Sequence, residues 1–104
     1  MMKKILIGIL FVFAIAISAM SALAAAPNIT STPVEDAVVG EQYTYDVEAT
    51  DADNDTIVFS LSVFPAGMVI DNVTGMITWT PDAAGTYNVT VFATAGNETD
   101  EQAY

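Results

Sequence analysis

Asp51-Ala52-Asp53-Asn54-Asp55 sets three carboxylates at alternate positions in one short acidic stretch. A turn there brings the alternating side chains to a common side, where their oxygens can converge on one hard cation. Calcium suits such oxygens but takes roughly six to eight of them, so backbone, water or other residues must complete the shell. An EF-hand loop is excluded by spacing. Counted from Asp51, its glycine position is Thr56 and its closing glutamate position is Ser62. The plainer alternative is a solvated acidic turn.

Asparagine offers a second chemistry. Asn28, Asn54, Asn72, Asn88 and Asn97 are the only asparagines, and each opens an N-x-Thr sequon. Four lie in expected loops or near an end, and Asn88 on the outward face of an expected strand. All five are expected to be accessible to glycosylation, which needs exposure. The competing explanation is compositional: Asn favours turns and Thr favours strands, so sequons arise easily in such a fold. Catalysis has little support, and no enzyme is expected. The chain has no His or Cys, and its only basic residues are Lys3 and Lys4. Ser60 and Ser62 have no base to activate them, and acidic groups in turns offer no apolar pocket to separate their pKa values.

The elements that must position these groups follow a leader. Lys3 and Lys4 precede an apolar run from Ile5 to about Met20 and a small-residue tail, Ser21-Ala22-Leu23-Ala24-Ala25-Ala26. This is the layout of a signal peptide, a helix ending at an A-x-A site, and cleavage is expected after Ala24. Residues 1–24 are thus read as leader and 25–104 as one domain, working outside the cell or at its surface. Retained, the leader is long enough to anchor the chain in a membrane with its lysines in the cytoplasm. Beyond it the chain carries 13 acidic and no basic side chains. No side-chain salt bridge is possible there, and the field repels nucleic acid and attracts divalent cations. With no cysteine, disulfides cannot support so small a domain, which leaves a metal or a partner.

Period-two alternation dominates after residue 40. Gln42–Thr50 reads as a strand with Tyr43, Tyr45, Val47 and Ala49 on one face. Thr56–Phe64 places Ile57, Phe59, Leu61 and Val63 together. Met68–Asp71 and Met76–Thr80 are short strands, the second with Ile77 and Trp79 inward. A last long strand buries Tyr87, Val89, Val91 and Ala93. Residues 27–39 add one or two edge segments broken by Pro33. Turn signals about every ten residues point to a sandwich of two antiparallel sheets.

Four stretches carry a resemblance: Ala49-Thr50-Asp51-Ala52-Asp53-Asn54-Asp55-Thr56, Phe64-Pro65-Ala66-Gly67-Met68, Thr74-Gly75-Met76-Ile77-Thr78-Trp79-Thr80-Pro81 and Gly85-Thr86-Tyr87. In order and spacing, across nearly all of residues 27–104, they resemble the putative Ig or dystroglycan-type cadherin-like domain family. The resemblance implies an all-β, Ig-like (cadherin-like) sandwich of surface and adhesion proteins. It also implies that Tyr87 forms a tyrosine corner, its hydroxyl bonding back to nearby backbone. Glu35 resembles the acidic residue of the family's first strand region, and Asp51 and Asp53 its acid-x-acid pair. Glu35, Asp51, Asp53 and Asp55 are therefore the candidate calcium ligands. The family's later Asp-Arg-Glu element and its Asp-rich linker have no match. Family members also continue with a further strand, which here only begins at Asp100–Tyr104. The last strand is thus expected to be incomplete, which a truncated or fragmentary sequence explains more readily than an open sheet edge that accepts a partner's strand.

The expected role is an adhesion, binding or structural module whose partner is a cell-surface protein or glycan, with calcium as its one candidate ion. Two alternatives are a coat or filament subunit completed by a neighbour's strand and a carbohydrate-binding module. The inward alternation of Tyr43, Tyr45 and Trp79 argues against the latter.

Overall fold

Residues 24–104 are described by a computed structural model. The expected signal-peptide helix lies outside the described residues, apart from Ala24. Eight strands follow: β1 (Asn28–Ile29), β2 (Tyr43–Asp46), β3 (Ala49–Thr50), β4 (Val58–Val63), β5 (Val69–Ile70), β6 (Met76–Trp79), β7 (Thr90–Ala95) and β8 (Glu98–Ala103). One sheet has the order β2-β6-β5 and another β4-β7-β8, and β1 pairs with β3. Every pairing is antiparallel. This is the two-layer arrangement of immunoglobulin-type sandwiches, and it agrees with the all-β, Ig-like expectation.

The inward residues of the alternation form the core. Val47, Ile77 and Val91 are fully enclosed, and Tyr43, Tyr45, Phe59, Trp79, Val89 and Ala93 are buried around them. Full burial of one such aliphatic or phenyl side chain contributes about 1.5–3 kcal/mol. That makes this stripe the main support of a domain without disulfides or internal side-chain ion pairs.

Several expectations are corrected. The single strand Gln42–Thr50 is two. Val47 N–H donates to Gly75 O at 2.9 Å, whereas Glu48 N–H turns to Ser31 Oγ at 2.9 Å and Glu48 O accepts Thr30 N–H. The chain thus leaves β6 between Asp46 and Ala49 and pairs with the N-terminal segment instead. Val63 is half exposed because the β4–β7 register shifts between Leu61 and Val63. Tyr87 is 39 % exposed and precedes its strand, which begins only at Thr90.

The last strand also differs from expectation. Gly96-Asn97 reverses the chain immediately after Ala95, with Gly96 at φ 60°. The strand therefore starts at Glu98 rather than Asp100, and it pairs with all six residues of β7. Beyond it, Tyr104 and Val89 exchange both backbone hydrogen bonds. The other side of β8 is partly occupied by its own side chain: Asp100 accepts Ile29 N–H on Oδ2 and Glu101 N–H on Oδ1, at 2.8 and 2.9 Å.

Two phenol relays tie the sheets together. Tyr43 donates to Val34 O at 2.7 Å, so the contact between the two hydroxyls at 2.9 Å is donated by Tyr104. Tyr45 donates to Gln102 Oε1 and accepts from Ser31 Oγ, both at 2.7 Å, while Gln102 Nε2 donates to Ser31 O. Burial, the leading cause, pushes the Tyr43 and Tyr104 phenols above their ordinary 10.0; the Tyr43 contact raises Tyr104 further. These links define two poles. Ala25, the 51–55 turn and the β7–β8 turn lie at one, and residues 34–39, 81–87 and Tyr104 at the other.

Candidate metal-binding turn

The loop between β3 and β4 folds on Asp51. Its Oδ1 accepts Asp53 N–H at 2.8 Å, and its carbonyl accepts Asn54 N–H at 3.1 Å. Asn54 adopts φ 57°, a left-handed conformation that asparagine tolerates better than most residues. The resulting turn gathers the triplet: one carboxylate oxygen each from Asp51, Asp53 and Asp55 lies within 4.8 Å of the others. Asp53 and Asp55 are exposed and Asp51 is half-buried. Asp51 Oδ2 is buried and has no hydrogen-bond partner. Asp53 Oδ2 accepts Ala25 N–H at 2.8 Å, which ties the start of the domain to the turn.

The donor set therefore fits a hard cation in part. It offers three carboxylates, one with an oxygen already withdrawn from water, and water must supply the remaining positions. Glu35 is not in this group. It lies in the exposed 34–39 segment, at the pole where Val34 O accepts the Tyr43 hydroxyl.

All five sequon asparagines are exposed. Asn28 sits in β1, Asn54 and Asn72 in turns, Asn97 in the β7–β8 turn, and Asn88 just before β7 rather than within it. The Asn72 turn is built by Asp71, whose Oδ1 accepts the Val73 and Thr74 N–H groups at 2.9 Å. Those bonds, with Thr74 the larger influence, hold the Asp71 carboxyl below its ordinary 3.8. Tyr87 forms the expected corner, donating to Ala83 O at 2.6 Å. Trp79 is buried, and its indole N–H donates to Ala66 O at 3.2 Å.

Sequence reasoning missed Asp100 and Gln102, which bond the N-terminal segment, and Tyr104, which bonds Tyr43. Their every-other spacing was a usable signal, but polar side chains in an edge strand read as solvated.

The geometry agrees with the comparisons. The model of the putative Ig domain family matches residues 26–104, and the chain belongs to that family. Among solved structures, the crystal structure of human protocadherin-24 EC1-2 is similar, with 23 % identity and a TM-score of 0.60. The likeness covers 78 % of this chain and 42 % of that one. At this identity it shows the fold, an Ig-like and cadherin-like sandwich. No curated protein matches the chain.

Proposed function

We propose that the chain is an exported adhesion or binding module of the cell surface, with a weak calcium site in the 51–55 turn. Family membership supports a binding or adhesive role, since domains of this class are typically extracellular. The role is passive: the sandwich presents loops and an acidic tip, with glycans on the exposed sequons, to a surface protein or glycan. A retained leader would attach the module to a membrane.

The observation that carries the calcium reading is Asp51 Oδ2. A buried polar atom without a partner costs about 1–3 kcal/mol, and more when charged. A cation held between Asp51, Asp53 and Asp55 relieves that cost and the repulsion among the three. Sites with few charged protein ligands belong to the weak, extracellular range.

Thermal melts with calcium and with chelator test this. Calcium at about ten times its dissociation constant stabilises by roughly 1.4 kcal/mol, so the midpoint is expected to rise by several degrees. Asp51→Asn is expected to abolish the rise. An unchanged midpoint in the wild type removes calcium from the account.

The outer edge of β8 favours a second reading, a subunit completed by a neighbour's strand. Asp100 opposes it by occupying the Glu101 N–H. A concentration-dependent oligomer in sizing supports that reading, and a stable monomer counts against it.

A further inference from the structure

The pole opposite the acidic turn carries a cleft of about 460 Å³ between the 34–39 and 81–87 segments. Trp79 and Tyr87 form one wall, with ring centroids 4.9 Å apart at 75°, and Tyr43 continues it. Tyr87 is the exposed member of this group. The polar atoms of these rings are already engaged: the indole N–H with Ala66 O, the Tyr87 hydroxyl with Ala83 O, and the Tyr43 hydroxyl with Val34 O. These three rings therefore have no free donor, and the π-face open to a guest is that of Tyr87. Glu35 and Asp36, both exposed, stand on the other side.

We infer that this cleft receives a single basic side chain, of arginine or lysine, from a partner protein. A cation over the face of a tryptophan or tyrosine is attracted by the ring quadrupole. A carboxylate beside it adds a charge-assisted hydrogen bond. Among the described residues, 24–104, none is Lys, Arg or His, so the domain supplies no such side chain of its own. The aromatic rings, which would have to grip a sugar, leave no hydroxyl or N–H free to donate to one. A purely apolar guest would strip water from Glu35 and Asp36 without replacing it. The site lies at the other pole from Asp51–Asp55 and does not depend on the calcium reading.

Trp79 is the only tryptophan, which makes its fluorescence a direct reporter. The full chain, in neutral detergent and chelator, is titrated with acetyl-Gly-Arg-Gly-amide and with the citrulline counterpart, which keeps the shape without the charge. The arginine peptide is expected to give a saturable change, and the citrulline peptide to bind about ten-fold more weakly. The double variant Glu35→Gln, Asp36→Asn is expected to weaken the arginine peptide by a similar factor, with circular dichroism unchanged. Glu48→Gln with Glu98→Gln, both exposed and near the acidic-turn pole, removes as much charge there and is expected to leave binding as it is. Equal binding of the two peptides overturns the inference. So does equal weakening by the two double variants, which would mean diffuse attraction to an acidic protein. Absence of a saturable signal with the arginine peptide overturns it as well.

Discussion

Replacing Gly75 with alanine should be the most damaging single-methyl change in the domain. Gly75 has φ +80°, and a Cβ built there runs into the Val47 carbonyl oxygen and lies 3.2 Å from the Phe59 ring. The left-handed conformation alone costs about 1–2 kcal/mol for an ordinary residue. The carbonyl belongs to backbone and cannot rotate aside. Moving it away breaks the Val47 N–H bond to Gly75 O, a loss of about 1 kcal/mol. It also opens the sandwich beside a core side chain that is fully enclosed. Together these give a loss of about 3–5 kcal/mol, in a domain whose whole stability is of order 4–12 kcal/mol.

Gly67 is the control. It has φ +85° with nothing within 4 Å of an added Cβ, so Gly67→Ala is expected to lose only the dihedral cost, about 1–2 kcal/mol. Urea unfolding followed by Trp79 fluorescence measures both. Equal losses in the two variants would refute the close approach of Gly75 to Val47. A melting point within a few degrees of wild type for Gly75→Ala would refute it too, since each kcal/mol is worth about 4–8 °C in a domain this size.

Three further outcomes are expected. Tyr87→Phe removes the bond to Ala83 O and should cost about 1 kcal/mol in unfolding experiments; a neutral result means the corner does not hold the 83–87 turn. Asp71 has a folded-state pKa below its ordinary 3.8, so its contribution is present above that value and lost as pH falls through the lower one. Asp71→Asn should therefore be less stable than wild type near neutrality, with the gap closing in acid; a gap independent of pH contradicts this. Cleavage after Ala24 would turn the Ala25 nitrogen, 2.8 Å from Asp53 Oδ2, into an ammonium. A chain beginning at Ala25 should then be more stable than its N-acetylated form by about 0.2–1 kcal/mol, and high salt should erase the difference.

The layers were legible because period-two burial leaves a strong imprint. Val47, Phe59, Ile77 and Val91 alternate with polar residues and stand inside as that pattern requires. The 51–55 turn was legible for a local reason: its three carboxylates converge through bonds spanning only a few residues. What the sequence hid depends on distant partners. The break after Asp46 is decided by Gly75 O and Ser31 Oγ competing for consecutive N–H groups. The early start of β8 depends on Gly96 adopting a left-handed turn. Asp100 and Gln102 face the N-terminal segment, where their bonds to Ile29 and Ser31 replace the apolar signal an inward face normally gives. The aromatic cleft gathers residues from 34 to 104, so no local window contains it.

The placement of Ala25 and Tyr104 governs how the domain bears load between them. Ala25 is held at the pole of the acidic turn, and Tyr104 at the other. Tension between these two residues runs along β8, across the β7–β8 ladder, whose hydrogen bonds lie perpendicular to the strands. Those rungs share the strain in shear and must yield together, whereas a hairpin pulled from one end unzips rung by rung. The relays from Tyr104 to Tyr43 and from Gln102 to Ser31 brace β8 against sliding. A module tethered this way resists stretching better than its modest core suggests.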